Sequence, residues 1–365
     1  MNELENNQEP PGVRDLFPEW RSPRLGSANP SVLTNPVWQW LVHTGISAYR
    51  ATELMGGPAA LKAGPGWCFD RFGQTTTLLP DGREVLVAGE HEDYYDPDFF
   101  IYNDVVVKPP DGEVSIYGYP REVFPPTDFH TATLLPERIV LIGSLGYQGE
   151  RLKSTQVLQL MLDDFAIHRV DAHGASPGWV HRHRAVLSED GAAITVFGGM
   201  IDPGSDERSL KENIDDWVLD LRSWTWTRTT DRNWPQWTFR RADRHYNQLW
   251  RLRHAIWLRD VQWKDQFAQE VQLLEASIGR TPDLDLLPTL YRPDDSVTQL
   301  PHDEDPYNVF RILVDGIVVR FTEESHLIRG VAEGALSQER LQALQDSVRD
   351  KLAALERAAW ETQTI

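Results

Sequence analysis

The chain of 365 residues holds a single cysteine, Cys68. One thiol forms no internal disulfide and builds no thiolate zinc site alone, so redox and zinc-finger chemistry are excluded. Flanked by Trp67 and Phe69, Cys68 reads as a small buried hydrophobe. No run approaches about 18 apolar residues, the length that would signal a membrane-spanning helix. The start, MNELENNQEPPG, has neither a basic n-region nor an apolar h-region. The expectation is a cytoplasmic protein. Absent too are GxSxG, a P-loop, a GxGxxG after a strand, HExxH and CxxC, which removes the commonest hydrolase, nucleotide and metalloprotease motifs.

Positive charge is also scarce. Against 55 Asp and Glu stand 36 Lys and Arg, a formal net charge of −19. Such a surface repels phosphate backbones and anionic lipid, so neither nucleic acid nor membrane is an expected partner. A basic protein fits better. Acidic residues crowd into loop-like stretches around Glu90–Asp98, Asp202–Glu207 and Asp303–Asp305, whereas Arg240, Arg241, Arg244, Arg251, Arg253, Arg259 and Lys264 gather in one segment. The reading for that basic stripe is internal pairing with acidic loops.

What is present is a repeat. Three units align: GQTTTLLPDGREVLVAGEH, FHTATLLPERIVLIGSLGY and RHRAVLSEDGAAITVFGGMID. Each sets an apolar strand, a turn, a second apolar strand and a glycine (Gly89, Gly143, Gly198). A polar loop and a third apolar run follow, beginning at Asn103, Thr155 and Asp215, then a fourth strand near Val114–Tyr117, Phe165–Ile167 and Trp224–Trp226. Four strands at a period of about 50 residues is the pattern of a propeller blade. Phe197-Gly198-Gly199, Asp216–Asp220 and Trp226 resemble the kelch repeat, although the glycine pair decays to Gly89-Glu90 and Gly143-Ser144 and the tryptophan to Ile116 or Tyr117 and to Ile167. The resemblance implies a kelch-like β-propeller or a partial propeller. Three blades fall short of the about 4–8 that close a ring, so flanking helices are expected to cap the open edges.

The fold class expected is mainly β with appended α: residues 1–64 an irregular arm plus one helix, 65–234 the kelch-like repeat, 235–306 a helical segment and a linker rich in proline and acid, and 307–365 a small α+β unit. The arm carries five prolines before residue 31, and Asn35-Pro36 opens the helix. Residues 242–277 place Tyr246, Leu249, Trp250, Trp257, Trp263 and Phe267 near helical spacing, an aromatic face expected to bury against a large apolar surface. In 307–365, Asp315-Gly316 joins two strands, a third strand follows near His326–Val331, and Ser337 opens a helix.

Candidate binding residues are His91, Asp93 and Asp96 in the loop after the first glycine, and His130, His181, Arg182 and His183 before the first strands of the second and third units. Two functions compete. The first is a non-enzymatic binding module for another protein, in one version an intracellular inhibitor or immunity-type protein that neutralises a basic toxin or nuclease. The second is a metal-dependent enzyme or small-ligand binder using the histidines of one propeller face. The first is favoured, with no cofactor and no metal expected, and self-association through the C-terminal unit is a third option.

Overall fold

The computed structural model describes residues 12–55, 64–92, 99–202, 210–302 and 305–365. The chain divides into two compact units, Met1–Asp231 and Arg232–Ile365. It is mainly β, with several antiparallel sheets and a few helices.

The first unit is built on three four-stranded antiparallel meanders. Their strands are Thr75–Leu78, Glu84–Val87, Asp104–Lys108 and Ser115–Gly118; Thr131–Leu134, Arg138–Ile142, Val157–Met161 and Ile167–Arg169; and Arg184–Leu187, Ala193–Phe197, Trp217–Asp220 and Thr225–Arg228. The central strands of the third sheet are half-buried on one face; those of the first two, rich in valine, isoleucine and leucine, are buried on both. Their alternating side chains serve two different cores. Val85, Val87, Val105 and Val107 meet Ile139, Leu141, Leu158 and Leu160 of the second sheet. On the other face of the second sheet, Val140, Ile142 and Val157 meet Ile194, Val196 and Leu219 of the third. The first strands of the three sheets lie side by side, Thr131–Leu134 between the other two. Among the described residues no closed barrel or propeller ring forms.

The outer face of the first sheet is covered by helices α1 (Val13–Trp20), α2 (Pro36–Thr44) and α3 (Ala48–Met55), whose Phe17, Trp38 and Leu41 pack with Leu86, Val106 and Ile116. The arm read as irregular therefore contains α1, and the single helix expected after Asn35 is two, because Gly45 at φ 64° ends α2. Ser31–Val32 adds a fifth strand beside Ser115–Gly118, and Asn29 bonds the backbone N–H and carbonyl of Ile167 at 2.8 Å each, tying the arm to the outer strands of two sheets.

The second unit is one six-stranded antiparallel sheet in the order Thr298–Gln299, Val309–Val314, Ile317–Glu323, Ile328–Ala332, Gln236–Arg241, Trp360–Thr364. It packs with α4 (Leu249–Asp260), α5 (Lys264–Ile278) and α6 (Gln338–Glu356) around Trp237, Phe239, Phe321, Leu252, Leu274 and Val348. The Asp315-Gly316 hairpin, the third strand and the helix capped by Ser337 stand where the sequence places them. The expected separation into 235–306 and 307–365 does not hold. Gln236–Arg241 lies between Ile328–Ala332 and Trp360–Thr364, so both segments share one sheet and one core.

Candidate functional site

Where each meander begins, the chain passes through a left-handed residue: Gly73 (φ 63°), Phe129 (φ 48°) and Arg182 (φ 54°). The N–H of Phe129 donates to the carbonyl of Gly73 at 2.9 Å, and that of Arg182 to the carbonyl of Phe129 at 2.8 Å. Backbone bonds thus link the three sheets in series. The next residue in each later meander is a histidine that reaches back to the sheet before it. Nε2 of His130 is 2.8 Å from Oγ1 of Thr75, and Nε2 of His183 is 2.9 Å from Oγ1 of Thr131. Both imidazoles are buried, and burial pushes their pKa values down to about 3 and about 4. They are neutral hydrogen-bonding staples. Gly143 allows the close approach of His183, since a Cβ there would stand 2.3 Å from the carbonyl oxygen of Val180 and 2.7 Å from Cε1 of His183.

His181 ends the strand Trp179–His181, opposite Met200. It is wholly buried, neither ring nitrogen has a hydrogen-bond partner among the described residues, and burial followed by the Arg182 charge lowers its pKa to about 3. Arg182 itself is exposed, its guanidinium 4.2 Å above the Phe129 ring. His91 sits in a two-residue strand opposite Phe100. Asp93 and Asp96 lie outside the described residues.

Two carboxylates outside the candidate binding set belong to the same region: Asp128, which the sequence does not single out, and Glu90, which it places in an acidic loop. Asp128, immediately before Phe129, is buried; its Oδ1 accepts from the Ser144 hydroxyl at 3.2 Å and the Gly146 N–H at 2.6 Å, while Oδ2 has no partner among the described residues. Burial raises its pKa against the pull of those bonds and of Arg151 and Arg182. Glu90 is pushed up to about 7, by burial first and then by the negative charges of Asp128 and Glu92. The carboxylate of Glu90 is thus pushed toward neutrality, whereas His130, His181 and His183 are held uncharged by burial. Among the described residues no three His, Cys, Asp or Glu side chains are grouped to hold a metal ion.

In the second unit α4 presents a row of aromatic rings. Its buried side chains are Leu249, Leu252, Ala255 and Leu258, whereas Trp250 and Trp257 remain 63% and 47% exposed and Trp263, just past the helix, 52%. The expectation that this face is buried holds for Leu249 and for Phe267, which pack in the core, and is overturned for the indoles, which face outward. His254 stacks between Trp250 and Trp257 at ring distances of 5.3 and 5.7 Å, and Trp263 meets Trp257 edge-on at 5.1 Å. The basic stripe pairs internally, with Arg251 to Glu270 at 2.7 Å, Arg253 to Glu323 at 2.5 Å and Arg241 to Glu356 at 2.7 Å. The internal pairing expected is thus present for these three, but its partners lie on α5, on the strand Ile317–Glu323 and on α6 rather than in the acidic loops. Among the described residues no helix is long and apolar enough to cross a membrane.

No protein-family model matches the chain, and no curated protein matches it. Among solved structures, one titled "Structure of YjhT" is similar at 15% identity, covering 46% of this chain and 56% of that chain, with a TM-score of 0.34. The chain spans little more than half the length of that structure.

Proposed function

We propose that the chain is a non-enzymatic protein-binding module whose first unit is a partial propeller of kelch-like blades and whose partner is a basic protein. The observation that carries the binding role is the exposed row of Trp250, Trp257 and Trp263 on and beside α4. Indole side chains cost solvation when left in water and supply most of the energy of protein interfaces where they are found. The rings are already packed together, two through His254 and two edge-on, so little side-chain freedom is lost when a partner covers them. Their nearest cations are neutralised by ion pairs within the unit, which favours a partner held by apolar contact there rather than by an acidic group.

The charge of the partner follows from the distribution of acid. Residues 1–231 hold 34 Asp and Glu against 19 Lys and Arg, and residues 232–365 hold 21 against 17, so most of the negative excess belongs to the first unit. That field attracts a basic protein over distance and raises its rate of encounter. The kelch-like reading rests on the repeated order of four strands and on the staples that recur between successive first strands. His130 and His183 then serve the scaffold, and the aromatic row is the binding element. The test is capture of partner by the intact chain and by a Trp250→Ala/Trp257→Ala variant. Binding that fails in the variant and weakens with salt supports this function.

A further inference from the structure

The joint between neighbouring sheets of the first unit is built from the same parts twice, and the parts recur on the third sheet with nothing opposite them among the described residues. Toward the sheet that follows, the first sheet presents Val85 and Val87 and the second Val140 and Ile142, all at 0% exposure. Register places Thr195 and Phe197 at these positions in the third sheet, since Thr75, Thr131 and Arg184 pair with Val87, Ile142 and Phe197. Both are only half-buried, and Val186, opposite Thr195, is 54% exposed. Their neighbours Ile194 and Val196 point the other way, into the core shared with the second sheet. The backbone repeats the pattern. The carbonyls of Gly73 and Phe129 each accept an N–H from the sheet that follows, whereas that of Arg182 accepts none among the described residues. A Cβ at Gly143 would strike the carbonyl of Val180, but one at Gly198, which follows Phe197 as Gly143 follows Ile142, meets nothing within 4 Å.

One part differs in chemistry. Where Thr75 and Thr131 offer hydroxyls to His130 and His183, the third sheet carries Arg184, exposed and with no side-chain hydrogen bond or ion pair among the described residues. A carboxylate satisfies that guanidinium fork with charge-assisted bonds. Half-covered valine, threonine and phenylalanine side chains on one face of a regular sheet form the kind of surface against which a second sheet packs. A second copy of this chain does not supply that sheet in series, because the matching face of its first sheet is covered by α1, α2 and α3. We propose that the outer face of the third sheet docks a β-sheet of a partner protein, which donates a backbone N–H to the Arg182 carbonyl and sets an Asp or Glu against Arg184. This docking does not require the tryptophan row, so either can fail while the other stands.

The test uses the full chain and two cyclised hairpin peptides, each confirmed as a hairpin by NMR, that copy residues 127–142, the strands seated against the first sheet. One carries His130→Glu and the other His130→Lys. The acidic hairpin is expected to bind the full chain, and the basic one to bind about tenfold more weakly, since the charge-assisted bonds to Arg184 are lost. Arg184→Glu, at an exposed position, is expected to reverse that order. Val186→Cys reports on the face itself, because Cys68 is 1% exposed and the introduced thiol is then the accessible one. Iodoacetamide is expected to modify it at the rate of an exposed thiol in the free chain and more slowly under saturating acidic hairpin. Equal binding of the two hairpins, no reversal in Arg184→Glu, or no binding at millimolar peptide overturns the proposal. Slow labelling in the free chain also overturns it, since the chain itself or a second copy would then cover the face.

Discussion

The imidazole Nε2 of His183 lies 2.9 Å from the hydroxyl of Thr131, and the same contact recurs one repeat earlier between His130 and Thr75 at 2.8 Å. In each pair the threonine begins one sheet and the histidine precedes the next. Removing the hydroxyl leaves a buried ring nitrogen unpaired. Thr75→Val and Thr131→Val are each expected to lower stability by about 1–2 kcal/mol, read from the urea midpoint at constant slope. Midpoints equal to the parent's in both variants would show that these contacts do not hold the sheets together.

Asp104 is the hub of a second buried network. It accepts both terminal nitrogens of Arg71, at 2.5 and 3.0 Å, and the indole N–H of Trp67 at 2.7 Å. Arg71 also donates to the backbone carbonyls of Cys68 and Ala88. Asp104→Ala strands a buried guanidinium and is expected to cost about 3–5 kcal/mol. Adding Arg71→Met is expected to recover part of that loss, so the double variant is less damaged than the sum of the single ones. Strict additivity in thermal unfolding would contradict the coupling.

Acid acts on the histidines and on Glu90 with opposite signs. His130, His181 and His183 have pKa values lowered to about 3, 3 and 4 from 6.5, so between pH 6.5 and about 4 the unfolded chain takes up protons that the folded chain refuses. Stability is expected to fall as the pH drops through that window. Glu90, raised from 4.5 to about 7, binds its proton more tightly when folded, so its contribution is complete below pH 4.5 and is lost as the pH rises through 7. Glu90→Gln is therefore expected to stabilise the protein more at pH 8 than at pH 4.5, measured by urea unfolding at the two values. An identical effect at both would contradict a raised Glu90.

These relationships were legible in the sequence to different depths. The twelve meander strands stand out because valine, isoleucine and threonine runs alternate with turns such as Pro80-Asp81-Gly82 at a regular period. Gln236–Arg241 and Trp360–Thr364 do not, since strands added to a sheet from distant parts of the chain carry no local turn to announce them. Asp128 was hidden for a related reason: a lone carboxylate in Thr127-Asp128-Phe129 reads as a loop residue until Gly146 and Ser144 fold over it. The histidines were visible as a repeat, but only the threonine contacts assign their bonding. On α4, aromatic spacing marks one face and aliphatic spacing another, and hydrophobicity alone does not say which is buried; the compact Leu252 and Ala255 fit against the sheet, and the indoles do not.

The tryptophan row carries the central claim, and its removal is expected to separate binding from folding. Trp250 and Trp257 are exposed and contact only His254 and Trp263 among aromatic rings, so the Trp250→Ala/Trp257→Ala variant should lose no more than about 1–3 kcal/mol, the worth of the ring contacts removed, and stay folded. A large loss of stability would instead place these rings in the structural core of the unit.

The most direct measurement is affinity capture with the immobilised parent and variant chains in parallel, at low and high salt, followed by titration of the captured protein against each chain and by light scattering. The account predicts one basic protein retained stoichiometrically by the parent, released by salt, and bound at least about tenfold more weakly by the variant, as expected when aromatic anchors are truncated. Equal retention by both chains, or a parent whose only partner is a second copy of itself, would contradict it.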